Sequence, residues 1–74
     1  MVKKDSHRGR VCEALSEDEW MDCHEVANAI GYSFNGASRV LSDVHRAGYV
    51  ERRESQNPGE IDYEYKLKPN VRIE

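Results

Sequence analysis

The sequence predicts an α+β fold: three helices followed by a two-stranded β-hairpin. Three observations predict it. Apolar residues recur at helical spacing in three early segments, each opened by a capping residue and the second and third closed by a glycine. From Ile61 to Leu67, apolar and charged residues then alternate with a strict period of two. A turn cluster, Ser55-Gln56-Asn57-Pro58-Gly59, separates that run from an earlier extended stretch.

Taken in order, residues 1–6 read as a flexible basic lead. Asp5 or Ser6 caps a first helix that begins near His7 and ends near Ser16 or Glu17. Val11, Leu15, Cys12 and Ala14 give this helix its apolar stripe, while Gly9 weakens its first turns by about 1 kcal/mol relative to Ala. Trp20 and Met21 are the apolar residues of the following connection and suit a brief extended piece, with Trp20 read as a lid over the core. Asp22 then caps a second helix, Cys23 to Ile30. Glu25 stands at the third helical position, as a capping box requires. Gly31 stops this helix because it tolerates positive φ.

Ser33 caps the third helix, which runs over about residues 34–47. Ala37, Leu41 and Val44 lie on one side of it, with Val40 beside them. Gly48 ends it. Tyr49 to Glu54 reads as the first hairpin strand and Ile61 to Lys68 as the second, leaving 69–74 as a tail. The expected core is Val11, Leu15, Val26, Ile30, Ala37, Leu41, Val44, Val50, Tyr63 and Leu67. The linker Gly31-Tyr32-Ser33 is short enough to force a sharp crossing of the second and third helices, which is a helix-turn-helix arrangement.

Composition narrows the function classes. The chain has 74 residues, 38% hydrophobic and 34% charged, room for one domain with a thin core and little for a deep catalytic cleft. No apolar run approaches the roughly 20 residues that cross a bilayer, and no apolar stretch follows the basic lead as a secretory signal requires, so no membrane role and a cytoplasmic location are expected. Cys12 and Cys23 are too few for a disulfide framework and read as reduced, small core residues. His7, Cys12, Cys23, His24 and His45 show no metal-ligand spacing, and no nucleophile, general base or phosphate loop stands out. The expectation is therefore no enzyme, no metal and no cofactor.

Net charge is −3, but it is unevenly spread. Met1 to Arg10 holds Lys3, Lys4, Arg8 and Arg10 against Asp5. Val11 to Ala37 holds six acids and no Lys or Arg. The remainder is balanced.

Two stretches resemble a known family. Glu25-Val26-Ala27-Asn28-Ala29-Ile30-Gly31-Tyr32-Ser33 resembles the winged helix-turn-helix pattern ELAxxLGxS. Ala37 through Val50, ASRVLSDVHRAGYV, resembles VSRxLxxLxxxGLV, and Tyr65-Lys66-Leu67 is similar to the YxLT that closes the second wing strand in MarR- and ArsR-type repressors. The match spans residues 7–68. It implies a winged helix-turn-helix domain that binds double-stranded DNA in transcription control, with the third helix in the major groove and backbone contacts from the wing. Carried over by position, Asn35, Gly36, Ser38, Arg39 and Ser42 would contact base edges. Arg39 suits guanine and Asn35 adenine. Phe34 would either touch a thymine methyl or plug the core. Arg46, Arg52, Arg53, Lys66 and Lys68 would face phosphates, with Lys3, Lys4, Arg8 and Arg10 adding a flexible contact.

The same residues have plainer roles. Arg39 and Asp43 are spaced to pair on the helix surface. Arg52 and Arg53 can pair with Glu51, Glu54 or charges across the hairpin. Acids Glu54, Glu60, Asp62 and Glu64 surround the wing tip, the third helix carries few bases, and the extra helices with which MarR-type proteins dimerise are missing. Palindromic operators need a two-fold protein, so this chain would act as a monomer, as a homodimer through the hairpin or first helix, or as part of a larger assembly. The alternative function is a winged-helix protein–protein interaction module using its acidic surface or its hairpin edge.

Overall fold

The computed structural model describes residues 2–54 and 63–74. Its elements run α1 (His7–Ala14), β1 (Met21–Asp22), α2 (Cys23–Ile30), α3 (Phe34–Ala47), β2 (Val50–Glu54) and β3 (Tyr63–Leu67). The strands form one antiparallel sheet in the order β1-β3-β2. The fold is thus α+β and compatible with a winged helix, but its sheet has three strands where two were expected. The expected turn at 55–59 and the residues Glu60, Ile61 and Asp62 lie outside the described residues.

Local chemistry sets the helix boundaries. Ser6 is the α1 cap, accepting a hydrogen bond from the Gly9 N–H at 3.0 Å. Asp22 and Glu25 form the full capping box at the start of α2. Ser33 caps α3 through the Gly36 N–H at 3.1 Å. Gly31 and Gly48 both adopt the left-handed conformation, at φ 72° and 88°. Beyond Gly48, the Tyr49 N–H donates to the Val44 carbonyl at 3.0 Å, closing a Schellman motif that turns the chain straight into β2.

Helix α1 stops at Ala14, two or three residues short of the expected end. Leu15 is already extended, and the Ser16 carbonyl accepts from the Leu67 N–H at 2.9 Å. The extended turn out of the helix at Leu15 is what brings the Ser16 carbonyl to the β3 backbone. The extended piece that follows is β1, with Met21 opposite Tyr65 and Asp22 opposite Glu64. It makes β3 the central strand of the sheet.

The core lies between the helices and one sheet face. Val11, Val26, Ala37, Leu41 and Val44 are fully buried, joined by Cys12, Leu15, Cys23, Ala27, Val50, Tyr65 and Leu67. Ile30 and Tyr63, expected inside, are only partly buried and pack on its rim. Trp20 is not a core lid. It shares the opposite sheet face with Arg53 and Lys66, whose charged groups sit 4.3 and 4.9 Å from its ring centre.

The termini also differ from a lead and a tail outside the core. Val2 is 3% exposed and bridges Ile73 in parallel, with Val71 and Ile73 packed against the core. The Val2 N–H donates to the Arg72 carbonyl, and the Glu74 N–H returns the bond to the Val2 carbonyl. Residues 3 and 4 then pass directly over α1. A Cβ on Gly9 would lie 1.9 Å from the Lys3 carbonyl oxygen. Glycine here is a packing requirement, which explains a residue that otherwise only weakens the helix.

This makes Gly9→Ala diagnostic. At an open helix site the change would stabilise by about 1 kcal/mol. Here it must displace backbone, so a loss of about 1–3 kcal/mol is expected. Thermal unfolding followed by circular dichroism reads the sign, at about 4–8 °C of Tm per kcal/mol for a domain of this size. A raised Tm would mean that residues 3 and 4 do not lie on α1.

Candidate nucleic-acid interface

Helix periodicity decides what α3 offers to solvent. Burying Ala37, Leu41 and Val44 turns Asn35, Arg39, Ser42 and Arg46 to the opposite side, since residues at i, i+4, i+7 and i+11 share a face. Asn35, Arg39 and Arg46 are exposed and Ser42 is half-buried. Ser38 sits toward the flank of the helix, also half-buried. Gly36 lies in a shallow groove with His7, Tyr32, Ser33, Arg39 and Val40. Phe34 is not a core plug. It is 43% exposed and leans on His24, with ring centres 4.5 Å apart.

The surface pair expected between Arg39 and Asp43 does not form. Asp43 is held instead by Arg8 of α1, through Nε at 2.5 Å and Nη2 at 3.0 Å. This two-pronged contact satisfies both carboxylate oxygens. Asp43 is the one acid of α3, so its capture leaves Arg39 and Arg46 as the charges on the open face. Neither has an ionic partner among the described residues.

The hairpin cations divide by strand parity, because successive side chains point to opposite faces. Arg52 pairs in register with Tyr65, on the core-facing side, and its guanidinium lies 4.4 Å from the Tyr63 ring centre. Burial raises the Tyr65 phenol pKa, and the neighbouring Arg52 works against that rise. Arg52 and Lys68 both stand near His45 in the last turn of α3. Burial chiefly, then those two cations, hold the His45 pKa below its ordinary value. Together with Arg46, they make the C-terminal end of α3 locally positive.

Arg53 and Lys66 belong to the other face. Arg53 donates to Glu64 at 2.9 Å and Lys66 pairs with Glu51 at 3.8 Å, while both cover Trp20. The structure therefore separates these two expected phosphate contacts from α3 and supplies each with a carboxylate. Two of the N-terminal bases are also engaged, Lys4 with Glu13 at 3.7 Å and Arg8 with Asp43. His45, weighed in the sequence as a metal ligand and set aside for lack of spacing, stands at the C-terminal end of α3. Its signal was its place beside Arg46, one turn before the helix-ending Gly48.

The remaining chemistry is sparse. Cys12 is fully buried, and burial pushes its thiol up to about 11. Among the described residues, no three of His, Cys, Asp or Glu converge as a metal site, and no helix is long and apolar enough to cross a membrane. No family model, curated protein or solved structure matches the chain.

His45 provides a pH test with a definite sign. Its folded pKa lies below the unfolded value of 6.5. The unfolded chain therefore binds more protons once pH drops below that value, and acidification costs stability through this window. Thermal unfolding between pH 7.5 and 5 should show a falling Tm, and His45→Gln should flatten part of that fall. An identical pH dependence in the variant would remove His45 from the positive end of α3.

Proposed function

We propose that this chain is a winged-helix domain that binds double-stranded DNA in transcription control, reading the major groove with α3. The observation that carries the reading is the open face of α3. It presents Asn35, Arg39, Ser42 and Arg46 in a row, its one acid neutralised by Arg8 and its C-terminal end flanked by Arg52 and Lys68. Asn and Arg at successive turns of one exposed helix face are the side chains that pair with adenine and guanine edges. Phe34, open at the first turn, is placed to meet a thymine methyl. Arg46, Arg52 and Lys68 serve as phosphate contacts. Arg53 and Lys66 are left out of this interface, because each is committed to a carboxylate and to Trp20.

The test is binding to labelled random-sequence duplex DNA across a salt series. Three cations on phosphates give a log–log slope of about −3. Arg46→Ala should lower that slope by about one and weaken all sequences alike, whereas Arg39→Ala should cost about 1–3 kcal/mol on a selected site and relax its preference at one position. Arg53→Ala should leave the slope unchanged. A folded protein that binds no duplex at low salt overturns the reading.

A second reading has an observation in its favour. Glu17, Asp18 and Glu19 are all exposed on the loop before β1, beside a sheet face whose cations are already neutralised. That surface suits a basic protein partner. Charge reversal at Glu17 and Glu19 would abolish such an association and leave DNA binding at least as strong as before.

A further inference from the structure

We infer that Arg8 is a positioning residue for DNA recognition: it sequesters Asp43 so that Arg39 stays free to reach a base. This deepens the α3 reading and rests on it. Arg39 and Asp43 are four residues apart on one helix, within easy reach of each other. They do not pair, because both Asp43 oxygens are taken by the Arg8 guanidinium from a different helix, at 2.5 and 3.0 Å. The competitor wins on geometry. Arg8 approaches with its planar fork from α1, a helix already packed on α3, and makes two parallel bonds.

Removing Arg8 has two consequences on the reading face. An acid without a partner would stand one turn from Arg39 and repel phosphate. The same acid would draw Arg39 along the helix surface and out of the groove-facing conformation. Arg8 thus controls the charge and the side-chain direction of a residue it does not touch. A direct Arg8–phosphate contact, as the family resemblance implied for the basic lead, makes the opposite demand, since Arg8 cannot hold Asp43 with both prongs and a phosphate as well.

A double-mutant cycle on the full chain separates the two. Wild type, Arg8→Ala, Asp43→Asn and the double variant are titrated against one labelled duplex at fixed salt, with circular dichroism confirming that each is folded. Positioning predicts that Arg8→Ala weakens binding about fivefold when Asp43 is present, and not at all in the Asp43→Asn background. An equal loss in both backgrounds would mean direct contact and would overturn the proposal. A merely structural role predicts loss in both variants with no recovery in the double.

A second readout needs no DNA. In a nitrogen-15 spectrum at low temperature, the Arg39 Nε–H resonance should shift on Arg8→Ala and return on adding Asp43→Asn. An unmoved Arg39 resonance would sink the proposal even where DNA binding stands. Conversely, a moving resonance in a protein that binds no DNA would leave the pair intact and overturn the α3 reading instead.

Discussion

The inward stripe of α3 is the constraint on which the rest of this molecule depends. Ala37, Leu41 and Val44 are each fully buried, and Leu41 is the largest fully buried side chain among the described residues. With about 100° between successive residues, turning that stripe inward leaves no freedom over the outward one. Both α1 and α2 pack against α3, and Gly48 hands its chain directly to β2. The same burial that closes the core therefore orients Arg39 and Arg46 and sets the point from which the sheet begins. Stability and surface display are two results of one rotation.

Charge placement follows from the packing in a similar way. A net charge of −3 argues poorly for a partner made of phosphates, but the field felt at a surface depends on which charges are paired and where they point. Docking α1 brings Arg8 to Asp43 and removes the one negative charge from α3. Sheet parity sends Arg52 toward His45 and Arg53 away to Glu64 and Trp20. A chain that is acidic in total thus carries a locally positive helix, and its surplus acid sits mainly on the loop before β1 and around the sheet.

What was legible in the sequence was what short-range chemistry decides. Asp22 with Glu25, Ser33 before α3, and Gly31 and Gly48 after two helices each act within a few residues, so pattern alone located them. Long-range partners were not legible. A two-residue strand at Met21 and Asp22 has too little sequence to announce its pairing with β3. The Val2–Ile73 bridge joins the two ends of the chain and, with the Ser6–Lys3 turn, holds residues 3 and 4 over Gly9. Arg8 and Asp43 are separated by 35 positions, and the nearer Arg39 was the natural partner to expect. One signal was present and unused: adjacent residues in a strand cannot face the same way, so Arg52 and Arg53 were never able to serve one interface together.

The arrangement of Arg53, Lys66 and Trp20 adds the last step. Two cations over one indole, each also held by a carboxylate, bind the loop before β1 to both longer strands. Each contact is partly open to solvent and individually modest. Their value lies in location, because β1 has only two residues and its backbone bonds alone hold it weakly at the sheet edge. Trp20 anchors that edge from the face the helices do not cover. In a domain with so thin a core, aromatic area on the far side of the sheet does work that a larger protein would assign to a second layer of helices.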